Sequence, residues 1–228
     1  MAEARLHYQD HLDALEQNAL GGLDLVVASL DRTMEAVQHQ DMELAELVIA
    51  DDDRIDGRYL EVHQEILTML ATQAPVATDL RLISALLHVM HSIERMGDQC
   101  VNIAKVIPLS GHEPPVRDEV LNRLLEMGRF ARAEILQAKR CFADRDVAMA
   151  EDLVRADRDV NRINRELFKL CVEIGDDIDT REWAMHMTLV GRAIERIGDN
   201  AVDIGEQTAF VVTGLFREFS DSSHPVAR

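Results

Sequence analysis

The stretch that decides the fold occurs twice. Residues 94–104 read ERMGDQCVNIA and residues 195–205 read ERIGDNAVDIG, so the same pattern returns after 101 residues. Working outward, a second pair of matches lies upstream. DMELAE at 41–46 leads to DDRID at 52–56, and DVAMAE at 146–151 leads to DRDVN at 157–161, here offset by 105. The difference of four residues falls in the second interhelix loop of the repeat, where length changes are cheap. The chain is therefore one unit written twice.

Apolar residues recur at helical intervals through nearly all of it. Leu12, Leu15, Ala19, Leu23, Val26, Val27, Leu30, Met34 and Val37 mark a helix over 7–38. Leu44, Leu47, Val48, Ile55, Leu60, Val62 and Ile66 mark one over 41–70, with Asp41 as its cap. Pro75 ends that pattern, and Leu80, Ile83, Leu87, Met90, Ile93, Gly97, Val101 and Ala104 mark a third helix over 76–107. PLSGHEPP at 108–115 is the strongest break. Beyond it, helices are expected over 116–142, 146–174 and 181–214, with a loop at 175–180. The predicted fold is all-α: two tandem three-helix bundles of six long antiparallel helices, related by the internal repeat. The first bundle takes residues 1–110 and the second 111–228, ending in a short flexible tail, FSDSSHPVAR.

Composition narrows the function. With 42 acidic and 24 basic residues among 228, the net charge is -18, which argues against direct nucleic-acid binding. The opening MAEARLHYQDHLDAL has no apolar signal region, and no apolar run approaches the ~20 residues of a membrane span. Cys100, Cys141 and Cys171 form no CxxC pair and read as buried thiols of a cytoplasmic protein. Charge is unevenly shared. Residues 1–113 carry 20 acids and 7 bases, residues 114–228 carry 22 and 17. RADRDVNRINREL at 155–167 supplies much of the second half's basic character, either as intrahelical pairs with Asp159 and Glu166 or as a partner surface.

The chemistry, if any, lies in lines of carboxylates. Glu94 and Asp98 stand four apart, with Asn102 continuing the line; Glu195, Asp199 and Asp203 repeat it. Like charges at that spacing repel. The plain explanation is a solvated stripe neutralised by Arg95 and Arg196. The sharper one is a platform for hard cations, to which carboxylate and amide oxygens are suited. Asp52 and Asp56 on the second helix, and Asp157 and Asn161 on the fifth, would face those lines across an antiparallel pair. Gly97 and Gly198 stand mid-helix, where Gly costs roughly 1 kcal/mol relative to Ala, and mark a close approach of a neighbouring helix or room for a ligand. His7 and His11 lack a convergent acid, and there is no GxSxG, P-loop or GxGxxG. The methionines and Trp183 fall at packing positions. An enzyme has little support.

The two ERxGD segments, together with QAPVATDLRLI at 73–83, the acidic second-helix stretches and FVVTG at 210–214, resemble the PhoU family of phosphate-transport accessory and regulatory proteins. The resemblance implies paired three-helix bundles that hold metal clusters through repeated E/DxxxD motifs. Here these fall on Glu94, Asp98, Glu195 and Asp199, with Asp52, Asp56 and Asp157. Asn161 departs from an acid common in the family, and Asp203 stands where Asn is common, which restores a carboxylate. The cations implied are divalent or iron: Mg, Mn, Fe or Zn. The implied role, without catalysis, is negative regulation of the phosphate-starvation response and of high-affinity uptake. The implied partners are a phosphate-regulon sensor histidine kinase and the ATPase subunit of the phosphate ABC transporter, with membrane contact only through them and a homodimer as a further assembly. Contact is expected at residues 73–81, including Arg81, and at 155–165, including Arg155, Arg158 and Arg162. Two other classes compete: a ferritin-like carboxylate metalloenzyme, for which no Glu-x-x-His follows either ERxGD, and a structural adaptor without metal.

Overall fold

The computed structural model of the protein describes residues 2–111, 113–175 and 177–219, with side chains from residue 7 onward. The expected loose end of the tail, 220–228, lies outside the described residues. The helices are α1 (Ala2–His39), α2 (Met42–Ala50), α3 (Asp53–Gln73), α4 (Ala77–Val106), α5 (Asp118–Asp144), α6 (Val147–Val172) and α7 (Ile178–Thr213), with a 3₁₀ turn (Ile107–Ser110) after α4. No strand occurs among the described residues.

The helix ends follow from local chemistry. Asp41 accepts a hydrogen bond from the Leu44 N–H at 2.9 Å, and Asp146, its repeat equivalent, accepts one from Met149 at 2.9 Å. Asp177 caps α7 by accepting from the Thr180 N–H at 2.9 Å. Gly214 closes α7 in the left-handed region, at φ 75°, where glycine carries no Cβ penalty.

One expected helix is two. The segment predicted as continuous over 41–70 breaks at Asp51 and Asp52 into α2 and α3. Three successive aspartates, poor helix formers that repel one another, occupy the break. Asp51 is drawn onto Arg32 of α1, and the Arg54 and Ile55 N–H groups tighten onto the carbonyls of Asp51 and Asp52. The break shifts the apolar stripe, so Leu47 and Leu60, expected in the core, are 56% and 65% exposed. Leu80, on the first turn of α4, is exposed too. The stripe read for α1 is buried throughout, as are Trp183 and the three thiols.

Helices α1 to α4 form one bundle and α5 to α7 the other. They are joined along their length: α4 packs on α7 and α1 on α5, and one continuous apolar core runs through both. The charge imbalance between the halves is spent partly on this seam. Along α5 and at its C-cap, Arg132, Lys139 and Arg145 pair with Asp31, Asp24 and Glu16 of α1 at 2.8, 2.7 and 2.6 Å. The first two pairs are exposed and worth little. Arg145 and Glu16 are held by two hydrogen bonds, at 2.7 and 2.6 Å, and Glu16 is nearly buried, so this pair contributes more.

Candidate metal centre

Both acidic lines are met by a second helix, as the sequence predicts. In the first half, a β-carbon at Gly97 of α4 would lie 3.0 Å from Asp52 Oδ1 and 3.0 Å from Ile55 Cδ1, so the Asp52 carboxylate sits directly on the α4 backbone. Burial, then the charges of Asp56, Asp98 and Glu94, push its pKa up to about 6. Glu94 is raised by burial and by Asp98. Asp56 and Asp98 themselves are exposed, at the rim of the cluster.

In the second half, Asp157, Asn161, Glu195, Asp199 and Asp203 line a single groove of about 310 Å³ between α6 and α7. Asn161 donates a hydrogen bond to Asp157 Oδ2, so the amide that departs from the expected acid holds its neighbouring carboxylate in place. Asp203 is raised by burial and Asp199, against the opposing charges of Arg95, His91 and His88 from α4. The groove thus feels cations of the other half.

The structure adds residues that the spacing rules did not find. Glu134 of α5 points from inside the bundle at the same place. A β-carbon at Gly198 would lie 2.6 Å from Glu134 Oε2 and 2.8 Å from Asp157 Oδ1, so Gly198 makes room for two carboxylates rather than for a helix backbone. Glu134 is 1% exposed and neither oxygen has a hydrogen-bond partner. Burial, then Asp157 and Asp199, push its pKa up to about 9. A signal was present in the sequence: Glu134 is a lone acid at core spacing among Ala131, Ile135 and Ala138. Counting 105 residues back gives Ser29, buried and hydroxyl-bearing, near Cys100 of α4. Of the expected neutralising cations, Arg95 acts on both Glu94 and Asp203, and Arg192 and His91 join it: Arg192 pairs with Glu195, and its equivalent His91 lies 3.9 Å from Glu94. Phe219, beyond α7, also lines the second groove, its N–H bonded to Glu206 at 2.7 Å.

These donors fit a hard cation in kind: they are carboxylate and amide oxygens, and Glu134 is a buried acid without a hydrogen-bond partner. As the side chains stand, no group of three or more His, Cys, Asp or Glu among the described residues closes on one point. An ion held there would require side-chain rotation.

The expected partner residues lie apart from this centre. Arg162 is tied to Asp159 at 3.2 Å and Glu166 at 3.0 Å, and Arg155 to Asp152 at 2.6 Å, all within α6. Arg158 is exposed on the same helix. Arg81 is half-buried, its guanidinium against the C-cap of α7, where a cation complements the helix dipole.

Fold and site together define a class: an all-α tandem-repeat protein with one oxygen-donor cluster in each repeat. A model of the PhoU domain matches residues 23–107 and again 124–208. The chain belongs to the PhoU family. It is 30% identical to the phosphate-specific transport system accessory protein PhoU homolog 1 of Mycobacterium leprae, over 98% of this chain and 100% of that one. It is 32% identical to the PhoU homolog of Deinococcus radiodurans, over 89% and 95%. Crystal structures of PhoU from Pseudomonas aeruginosa (TM-score 0.81, 25% identity, 91% of this chain and 100% of that one) and of the regulatory protein PhoU from Streptococcus pneumoniae (TM-score 0.82, 23% identity, 92% and 99%) share the fold. No helix among the described residues is long and apolar enough to cross a membrane.

Proposed function

We propose that this chain is an accessory protein of a phosphate-specific transport system that lowers phosphate uptake and phosphate-starvation transcription when phosphate is plentiful. It serves as a metal-binding helical adaptor between the transporter ATPase and a sensor histidine kinase, not as an enzyme. The observation that carries the reading is the end-to-end likeness to relatives bearing that accessory name. The bound ions are divalent or iron cations: Mg, Mn, Fe or Zn. Asp52, Asp56, Glu94 and Asp98 hold them in the first half; Asp157, Glu195, Asp199 and Asp203, with Glu134, hold them in the second. Loading relieves the mutual repulsion of these carboxylates and so stabilises the fold by linkage.

Partner contact falls on two regions. The 73–81 loop exposes Val76 and Leu80, and Arg81 anchors its end against α7. The exposed face of α6 presents Arg155, Arg158 and Arg162. Deleting the gene should derepress phosphate-uptake genes in phosphate-rich medium; unchanged repression without a redundant copy rejects the function. Elemental analysis of untagged protein should find metal that is reduced in a Glu94→Gln, Asp98→Asn variant, and equal content rejects the first-half site.

A further inference from the structure

The second half carries a groove that the carboxylate site does not use. Between the C-terminal half of α6 and the N-terminal half of α7 lies a depression of about 640 Å³, with Phe168 on its wall and Asn164 and Thr188 lining it. Phe168 is 57% exposed. Val172, Met185 and Leu189, one or two turns away on the same two helices, are 69%, 66% and 58% exposed. Phe168 and Val172 stand four apart on α6, and Met185 and Leu189 four apart on α7, so each pair shares a face of its helix.

Arg165 and Lys169 stand on this groove and have no acidic partner among the described residues, in a chain whose net charge is -18. Arg162, Glu166 and Arg192 also line it, with Arg162 paired to Glu166 and Arg192 to Glu195. The repeat supplies an internal control. The first-half counterparts of Arg165 and Lys169 are Leu60 and Gln64, and that of Phe168 is His63. The two unpaired cations therefore come from this half's own sequence and not from the shared fold.

We propose that this α6–α7 groove docks an acidic amphipathic helix of a partner protein, whose apolar anchors cover Phe168, Val172, Met185 and Leu189 while its Asp and Glu side chains meet Arg165 and Lys169. Two parallel-sided helices with a groove between them accept a third by ridge-into-groove packing, and helix-in-groove recognition reads anchors at i, i+3, i+4 and i+7. Charge complementarity selects the sign of the partner and makes its binding salt-dependent. The inference stands independently of the phosphate reading, since it concerns only the purified chain and a helix of stated chemistry.

The test is a fluorescence titration of the full chain with three labelled 18-residue helical peptides: one with Leu and Phe anchors flanked by Glu, one with Lys in place of every Glu, and one of scrambled acidic sequence. The acidic amphipathic peptide should bind, weaken at least tenfold in Phe168→Ser and in the double variant Arg165→Glu, Lys169→Glu, and weaken in high salt. Circular dichroism must show both variants folded. Hydrogen exchange should show protection confined to residues 165–172 and 185–192. Equal binding of the lysine or scrambled peptide, or undiminished binding by the folded variants, overturns the proposal. So does a chain that self-associates through this face, shown by sedimentation of wild type and Phe168→Ser, or one that binds anionic vesicles there without binding the peptide.

Discussion

The two carboxylate centres descend from one sequence pattern and differ in what the first helix of each repeat brings to them. In the first half that helix offers Ser29, a small neutral hydroxyl, and the centre is a half-exposed cluster in which Asp52 is driven up to about 6 and Glu94 is raised too. In the second it offers Glu134, a carboxyl with no hydrogen-bond partner pressed against Asp157 and Gly198 and driven up to about 9. The α2–α3 break falls at Asp52 of the first centre, whereas in the second a continuous α6 carries Asp157, braced by Asn161. The lesson is that a repeat preserves backbone geometry more faithfully than it preserves electrostatics. The acid on a third helix sets a buried carboxyl behind a groove whose Asp199 and Asp203 stay exposed.

The largest effect expected from this difference is on the pH dependence of stability. Both Glu134 and Asp52 have folded-state pKa values above their ordinary ones, so each is more protonated in the folded than in the unfolded chain. Their contributions are fully present below pH 4 and are lost as pH rises. The loss for Asp52 is complete near pH 6, and that for Glu134 continues to about pH 9. Metal-free protein should therefore lose several kcal/mol between pH 5 and 9, measured by urea unfolding. Glu134→Gln should flatten the upper part of this profile and Asp52→Asn only the part below pH 6. At neutral pH, Glu134→Met removes an unsatisfied buried carboxyl and should raise metal-free stability by about 1–3 kcal/mol. A variant that lowers the melting temperature would remove the contrast between the centres.

Next in size is the corner between the first two helices of each repeat. Gln40 and Arg145 occupy equivalent left-handed positions, at φ 53° and 56°. Gln40 donates to the carbonyls of Ile107 and Gly111, at 2.8 and 3.2 Å, within its own half; Arg145 reaches across to Glu16. Arg145→Ala should cost about 2 kcal/mol, because it strands a charged and nearly buried Glu16, and Gln40→Ala about 1 kcal/mol. Equal losses in thermal unfolding would show that the cross-half pair adds nothing.

The smallest effect should come from the two mid-helix glycines. Gly97→Ala meets its neighbours at 3.0 Å, a contact that small shifts relieve, and the roughly 1 kcal/mol gain in helix propensity offsets the cost. Gly198→Ala drives a methyl to 2.6 and 2.8 Å from two packed carboxylates and should be net destabilising by about 1 kcal/mol. Calorimetry of the two variants side by side sharpens the ranking of the centres: Gly198→Ala should melt lower and Gly97→Ala within about a degree of wild type.

Much of this molecule was legible before any coordinates. The 101- and 105-residue repeats, the Asp41 cap, the Pro75 break and the carboxylate lines on α4 and α7 are all local in sequence. A helix is specified by neighbours three and four residues apart. The break at Asp51 and Asp52 is not legible in the sequence, because the apolar period continues through it while Arg32, 19 residues upstream, draws Asp51 away. Tertiary structure alone decided which acids lose their water. Asp157 is buried and Asp56 is not, although both stand among other acids, and Glu134 is buried in a stretch whose charged neighbours are Arg132 and Lys139. Desolvation depends on what distant helices lay over a side chain, and so do the pairing of α1 acids with α5 bases and the packing of α4 on α7. Periodicity is a property of the chain; burial is a property of everything the chain folds against.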